Sequence, residues 1–326
     1  MNRILLLGGE GYIGNVVSKY FLDLGYEVTS IDNCIYGLHN YPKISPHHNF
    51  TFIKGNIADE QILEKYIERA ENIVLLAGLV GDPITKKYPE ISNQINNIAI
   101  NKVIDRCMKN QNCKFIFAST CSNYGLIPEN ITADEDYKLE PLSLYAKSKV
   151  NAEKYIMSHK DRTSTVTTIL RFATAFGVSE RMRFDLTVNQ FVKSLYENET
   201  LTVFDEHTWR PYCHVIDFAR AIESVFSADK NLCNFEIFNC GSDENNFTKE
   251  MILSEISKYI KSGKIVYRKN DSDPRNYRVN FQKIKSKLSF HAEYSVNFGV
   301  TEIINKLKND YFKFDTKNEY GNYTIS

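Results

Sequence analysis

The chain begins with an apolar run that ends in glycines, "ILLLGGEGYIG", and those glycines restrict what can come next. The run before them reads as a short buried strand, and "IGNVVSKYFLDLG" after them carries a helical period. Gly8, Gly11 and Gly14 stand at the spacing GxxGxxG between the two. A strand that turns directly into a helix needs glycine's backbone freedom in the turn. Without side chains there, an anion can approach the NH groups and the dipole at the helix start. Glycine strings also make ordinary turns, so it is the strand on one side and the helix on the other that give this one meaning.

The same alternation recurs along the first half. "YEVTSID", "NFTFIKG", "NIVLLAG", "KFIFAST" and "TVTTILR" read as further buried strands, with helical stretches such as "ADEQILEKYIERA" and "PEISNQINNIAINKVIDRCMKN" between them. Near-continuous apolar strands alternating with helices predict an α/β fold: a Rossmann-type, doubly wound parallel sheet covered on both faces. Ligands bind such a sheet at the carboxyl ends of its strands. Beyond "TTILRFATAFG" the alternation breaks down into "TVNQFVKSLYENE", "LTVFDE", "VIDFARAIESVFS", "FEIFNCG" and "KEMILSEISKYI". Expected domains are therefore 1–171 for the sheet, with segments near 210–240 returning to it, a smaller α/β substrate-binding unit over 172–315, and a loosely attached tail at 316–326.

The glycine turn followed by an acidic residue at the end of the second strand points to a dinucleotide. Asp32 lies 18 residues after Gly14, where a carboxylate can accept hydrogen bonds from an adenosine ribose. Its charge would repel a 2′-phosphate, so NAD is expected over NADP. An aspartate in that place can also cap a turn before Asn33. Asn56, just past the third strand, could read the adenine edge. Ala77 and Gly78 end the fourth strand and are small enough to let a cofactor cross the sheet, although small residues at strand ends are also ordinary turns. Tyr12, Ile13, Asn33 and Ile57 complete the expected cofactor set.

Other classes are disfavoured. Lysine plus arginine equals aspartate plus glutamate, 40 each, which leaves no electrostatic footprint for nucleic acid or an anionic membrane surface. "MNRILLLGG" has no cleavage site of the signal-peptide kind, and "IVLLAGLV" is far too short to span a bilayer. A cytoplasmic protein is expected. Seven cysteines are scattered without a CxxC pair, and His47 and His48 are adjacent, so thiols without disulfides and no metal are the expectation.

"LYAKSK" sets Tyr145 and Lys149 at i and i+4, on one face of a helix. A tyrosine with an ordinary pKa of about 10 needs roughly 3 units, or about 4 kcal/mol, to become a base near neutrality. The Lys149 ammonium and a positive nicotinamide ring could supply that by favouring the phenolate. Alone, the pair is as well read as a solvated helix face. Its position after a dinucleotide turn and after a strand ending in Thr120 favours catalysis.

Taken together, "GGEGYIG", "STCSNYG" and "YAKSK" resemble the motifs of the extended short-chain dehydrogenase/reductase superfamily, in its nucleotide-sugar epimerase/dehydratase branch. The likeness continues through "RFATAFG" and "RPYCHVIDFARAI" to about residue 290. It implies that Thr120 contacts the substrate hydroxyl beside Tyr145, that Lys149 also binds the nicotinamide ribose, and that Asn96 lies near the cofactor. It also implies proton transfer from a sugar hydroxyl, usually at C4, to Tyr145 as hydride passes to NAD+, and a homodimer packed through a four-helix bundle.

Family 4,6-dehydratases carry an acid pair immediately after the threonine, whereas this chain has Cys121 and Ser122. Classical dehydration is disfavoured, leaving a 4-dehydrogenase or a 4-epimerase, with a 4-keto-sugar reductase or an atypical dehydratase as alternatives. "LAGLVGDP", "RFATAFGVSERMRFDL" and "DPRNYRVN" resemble a subgroup that includes GDP-heptose 4-dehydrogenases, which leans toward a GDP-linked sugar. Arg210 and Arg275 stand where the family places diphosphate-binding arginines, and Arg181 and Arg183 are further candidates. Any of them could instead form a surface ion pair. Asn189 is either a substrate contact or an exposed helix amide. Thr174 replaces the asparagine of many UDP-galactose epimerases. Two rivals stand beside this reading: a non-catalytic NAD-binding regulator and an enzyme using Cys121.

Overall fold

The computed structural model describes residues 3–37, 44, 46–269, 275–312 and 320–325. The six apolar runs form strands β1 (Arg3–Leu7), β2 (Glu27–Asp32), β3 (Phe50–Lys54), β4 (Asn72–Leu75), β5 (Lys114–Thr120) and β6 (Val166–Phe172). Six short strands follow in the second half: β7 (Thr174–Phe176), β8 (Thr200–Phe204), β9 (Trp209–His214), β10 (Glu236–Cys240), β11 (Asn246–Thr248) and β12 (Lys264–Arg268). Strands β1 to β6 and β10 make one seven-stranded parallel sheet in the order β10-β6-β5-β4-β1-β2-β3. The order reverses at β1, which opens a crevice above the carboxyl ends of β1 and β4.

Strand periodicity explains why both faces are covered. On β1, Ile4 and Leu6 pack with Val17 and Phe21 on one face, while Leu5 and Leu7 pack with Ile73 and Leu75 on the other. The helix after the glycine turn, Tyr12–Asp23, buries Val17, Phe21 and Leu22 and packs beside the helix Val215–Ser227. It stops at Gly25, whose positive φ of 82° suits a left-handed helix terminator. β10 and the helix Val215–Ser227 thus belong with the large sheet although they follow strands of the smaller unit in sequence.

That smaller unit has a core of its own. Helices Thr187–Tyr196, Lys249–Ser257 and Val296–Lys308 pack around Phe176, Val192, Ile252 and Val300. A mixed sheet β11-β9-β7 and a parallel pair β12-β8 accompany them. Among the described residues, no helix is long and apolar enough to cross a membrane.

Two local expectations change. The helix predicted through "PEISNQINNIAINKVIDRCMKN" is interrupted: α-helical segments Pro89–Asn93 and Ile100–Cys107 flank a π-helical one, Gln94–Ala99. Nor is the described part of the tail loosely attached. Residues 320–325 lie against the molecule, with Gly321 and Asn322 buried, because their backbone and side chains find hydrogen-bond partners in both units. Residues 316–319 and 326 of that tail lie outside the described residues.

Candidate active site

A cavity of about 1270 Å³ lies above the carboxyl ends of β1, β2, β4 and β5 and is closed on the far side by the smaller unit. Drug-sized ligands occupy pockets of roughly 300–1,000 Å³, so this space exceeds what one small molecule requires. At one end is the glycine turn. A side chain at Gly8 would lie 2.5 Å from the Ala77 nitrogen, and one at Gly14 would lie 2.5 Å from the Gly8 carbonyl oxygen. Those two glycines are required by the approach of strand, helix and neighbouring loop. Gly11 differs, because a side chain there would meet only the Gly8 carbonyl, at 3.4 Å. The helix begins at Gly11 without a side-chain cap, so the first turn presents backbone donors to the cavity.

Asp32 accepts hydrogen bonds from the Glu10 N–H at 3.0 Å and the Cys34 N–H at 2.8 Å, while burial pushes its pKa up. A carboxylate has about four acceptor positions, so two remain for ligand hydroxyls. Asn33, Asn56 and Ile57 line the same end, and Ala77 and Gly78 line the floor with Tyr12 and Ile13. The Asn56 side chain accepts from the Ala58 N–H at 2.9 Å, which leaves its amide donors for a ligand. An uncapped helix start, a glycine with open space before it and a carboxylate with spare acceptors fit a dinucleotide.

At the other end the helix Leu144–Met157 is capped by Ser143, whose hydroxyl accepts from the Ala146 N–H at 3.1 Å. This cap fixes the first turn and with it Tyr145. Tyr145, Lys149 and Thr120 all line the cavity, and the Tyr145 and Thr120 side chains are hydrogen-bonded. Lys149 donates from Nζ to the Ala118 carbonyl at 2.7 Å and lies 5.9 Å from the centre of the Tyr145 ring. Burial lowers the Lys149 pKa to about 8, opposed by the Glu153 carboxylate one turn further along. Burial also holds the Tyr145 hydroxyl well above its ordinary value, assisted by the Asp82 carboxylate and opposed by Arg183 and the Thr120 hydrogen bond. That is the direction for the protein's own groups; the sequence-based expectation joins the Lys149 ammonium to a positive nicotinamide ring.

Thr120 also accepts from the Ser122 N–H at 3.1 Å, starting a short 3-10 turn. Cys121 points the other way. It is 1 % exposed, its thiol donates to the Arg171 carbonyl at 3.2 Å, and burial raises its pKa well above the ordinary range. A buried protonated thiol is no nucleophile. Ser122 lines the cavity, 3.2 Å from the Tyr277 hydroxyl. All seven cysteines are free.

The arginines gather on the side of the smaller unit. Arg181, Arg183, Arg210 and Arg275 all line the cavity. Arg183 is paired with Asp185 at 2.6 Å, and Arg275 with Asp82 at 2.5 Å. Arg210 donates to the Trp209 and Arg275 carbonyls and lies over the Tyr277 ring.

Two sequence-based assignments are displaced. Asn96 does not line the cavity. It is 2 % exposed, its Oδ1 accepts from the Leu79 N–H at 2.8 Å, and its Nδ2 donates to the Leu79 carbonyl at 2.9 Å. The amide is consumed in holding the loop after β4, and the π turn places it there. Asn189 is neither an exposed amide nor a cavity residue. Fully buried, it accepts from the Gly177 N–H at 3.1 Å and donates to the Arg183 carbonyl at 3.0 Å and the Tyr12 hydroxyl at 3.2 Å. Its amide braces the loop that carries the arginines.

The sequence also concealed several lining residues. Asp82 follows a glycine in "LVGDP" and Tyr277 follows Arg275 in "DPRNY", both inside stretches already singled out. Asn322 and Tyr323 come from a tail without any period, and nothing in their spacing marks them.

The sequence profile of the NAD dependent epimerase/dehydratase family matches residues 4–241. The uncharacterized UDP-glucose epimerase YtcB of Bacillus subtilis is 26% identical over 319 residues, covering 95% of this chain and 99% of the relative. The UDP-glucose 4-epimerase of Rhizobium meliloti is 25% identical over 321 residues, covering 90% and 94%. Among solved structures, the UDP-glucose 4-epimerase of Thermotoga maritima with UDP-glucose superposes with a TM-score of 0.82 at 25% identity, covering 95% of this chain and 100% of that one. The UDP-glucuronic acid 4-epimerase of Bacillus cereus, in complex with UDP-glucuronic acid and NAD, shares the fold with a TM-score of 0.85 at 24% identity over 95% and 100%. A family profile spanning most of the chain, laid over a cavity with a dinucleotide end and a tyrosine–lysine end, settles the affiliation: the chain belongs to the NAD dependent epimerase/dehydratase family and is an NAD-dependent enzyme.

Proposed function

We propose that the protein oxidises C4 of a nucleotide-diphosphate sugar, forming a 4-keto species that is either released, as by a 4-dehydrogenase, or reduced from the opposite face, as by a 4-epimerase. The observation that carries this reading is the convergence of Thr120, Tyr145 and Lys149 in the same cavity as the glycine turn and Asp32. NAD, when bound, supplies the acceptor for the hydrogen that leaves the carbinol carbon. Thr120, hydrogen-bonded to Tyr145, aligns the sugar hydroxyl with it, and the Tyr145 oxygen takes the hydroxyl proton. The Lys149 ammonium favours the phenolate and is fixed by the Ala118 carbonyl. Arg183, Arg210 and Arg275 are lining cations that would hold the diphosphate, Arg183 and Arg275 beside their carboxylate partners Asp185 and Asp82. Dehydration has less support, since Cys121 faces the core and Ser122 bears no acid.

The base is a finer matter. The motif likeness to GDP-heptose 4-dehydrogenases supports a GDP-linked sugar, while the relatives named above are described with UDP-sugars. We also propose a cytoplasmic homodimer paired through the helices around residues 89–107 and 144–157, supported by exposed Ile91, Ile98 and Leu144 on them. Light scattering at the dimer mass tests it, and a monomer refutes it. For the activity, the NAD-loaded protein is incubated with GDP-, UDP-, dTDP- and CDP-hexoses while NADH absorbance and product NMR are followed. Oxidation or C4 inversion of at least one is expected, with Tyr145→Phe losing roughly 10²–10⁴-fold in turnover while still binding NAD. Turnover of none by a folded, NAD-loaded protein, or unchanged turnover in Tyr145→Phe, sinks the reading.

A further inference from the structure

Tyr12 belongs to the glycine turn but is bonded elsewhere. It is the first residue of the helix that follows the turn, and its ring is buried in the core of the smaller unit. Its hydroxyl donates to the Gly177 carbonyl at 2.7 Å and accepts from Asn189 Nδ2 at 3.2 Å. Its backbone carbonyl accepts from Ser179 Oγ at 2.8 Å. Burial holds the hydroxyl well above its ordinary pKa, opposed by the Asn189 hydrogen bond, so it stays protonated and able to donate. The turn's own packing rests on Gly8 and Gly14, whereas the phenol reaches a loop 165 residues further along the chain.

That loop, residues 177–186, runs between β7 and the helix Thr187–Tyr196 and carries Arg183. It leaves β7 at Gly177, whose φ of 107° suits glycine and where a side chain would run into the His214 ring. The Gly177 N–H is taken by Asn189 Oδ1 at 3.1 Å and its carbonyl by Tyr12. Asn189 Nδ2 then reaches forward to the Arg183 carbonyl at 3.0 Å, so the Tyr12 hydroxyl and the Arg183 backbone share one buried amide. At the far end of this chain of bonds the Arg183 guanidinium meets the loop after β4. A side chain at Gly81 would lie 3.8 Å from Arg183 Nη2, next to Asp82, which pairs with Arg275 at 2.5 Å. Two cavity-lining cations thus converge on residues 81 and 82, and the backbone of one of them is held through Tyr12.

We infer that Tyr12 is a positioning residue for the diphosphate of the sugar nucleotide: its hydroxyl, acting through Gly177 and Asn189, sets the place of Arg183. The inference rests on the nucleotide-sugar reading above and adds to it a division within one residue. The Tyr12 backbone serves the glycine turn, and its phenol serves the substrate loop. Phenylalanine in its place keeps the ring and the turn but leaves the Gly177 carbonyl and the Asn189 amide each short of a partner.

Calorimetric titration of the full-length protein tests it without requiring turnover. GDP, UDP, dTDP and CDP are titrated into NAD-loaded wild type and Tyr12→Phe, and NAD into both proteins freed of nucleotide. Tyr12→Phe is expected to weaken the nucleoside diphosphate that the wild type binds best by roughly tenfold, as for one lost buried hydrogen bond, with NAD affinity left close to wild type. In an Arg183→Gln background the same substitution should add little, because the residue it acts through is gone. Three results overturn the inference: unchanged nucleoside diphosphate binding, a loss of NAD affinity as large as the loss for the nucleoside diphosphate, or an equal effect of Tyr12→Phe with and without Arg183. Each leaves the nucleotide-sugar reading standing, whereas a folded, NAD-loaded wild type that binds none of the four overturns both. Should Tyr12→Phe unfold at the assay temperature, Ser179→Ala, which removes the loop's bond to the Tyr12 carbonyl, takes its place with the same expected pattern.

Discussion

At the residue level the informative side chain is Lys149. A lysine four residues after a tyrosine is easily seen in a sequence, but its charge state depends on what surrounds it. Here burial lowers its pKa to about 8 from the ordinary lysine value. The unfolded chain therefore binds a proton more readily than the folded one between those two values. Below about pH 8 the folded protein carries the full penalty of a buried ammonium, and the penalty fades as pH rises toward the ordinary lysine range. Lys149→Met removes the group, so in nucleotide-free protein the variant should gain on wild type near neutrality. That gain should shrink by about 3 kcal/mol between roughly pH 7 and 10.5. Urea unfolding of both proteins across that range measures it. A stability difference independent of pH would show that Lys149 is not perturbed by burial. The lowered value also leaves the ammonium charged at neutral pH, the form that the proposed proton transfer from the sugar to Tyr145 requires.

Among the elements, the glycine turn separates residues required by the fold from one required by a ligand. Gly14 packs its α-carbon against Gly8 and Gly9 backbone, whereas Gly11 faces open cavity with a φ of −72° that any residue adopts. Gly14→Ala should therefore cost about 1–3 kcal/mol or more by overpacking. Gly11→Ala should leave stability within about 0.5 kcal/mol yet weaken NAD binding at least tenfold. Denaturant midpoints and NAD titration distinguish the two, and equal destabilisation would refute the division. This turn was legible in the sequence because strand, glycines and helix are contiguous, and the same locality made β1 to β6 legible. Asn96 and Asn189 were misread for the opposite reason. Each stands in a recognisable motif, but the groups that consume its amide, the backbones of Leu79 and Gly177, are defined only after the loops have folded. The π turn that aims Asn96 is likewise invisible to a 3.6-residue period.

Over the whole molecule, what the sequence concealed is long-range. The docked C-terminal residues meet partners more than a hundred residues away, and so does the Tyr124–Asn239 bond of the buried polar network beneath the catalytic candidates. In that network Glu153 pairs with Arg171 at 2.7 Å, and Arg171 donates to the Tyr124 hydroxyl at 3.0 Å and to the Glu135 carbonyl at 3.1 Å. Tyr124 then donates to Asn239 at 2.7 Å, which ties β10 to the 3-10 turn after Thr120. Ser119 and Asn123 also donate to Glu153, joining the end of β5 to the helix that carries Tyr145 and Lys149. The arrangement couples stability of the large sheet to the placement of the site. Removing one partner of a buried ion pair leaves an uncompensated charge, at a cost of about 3–5 kcal/mol, whereas replacing both with apolar groups of similar volume is often close to neutral. Glu153→Gln should therefore lower stability by that amount in a single cooperative transition. Glu153→Leu combined with Arg171→Met should recover much of the loss while leaving Tyr124, Ser119 and Asn123 with fewer partners. If recovered stability came with lower NAD-dependent turnover, the network would be retained for the geometry of Thr120 and Tyr145 and not for folding. If the double variant were as unstable as Glu153→Gln alone, the ion pair itself would be the element holding the sheet and helix together.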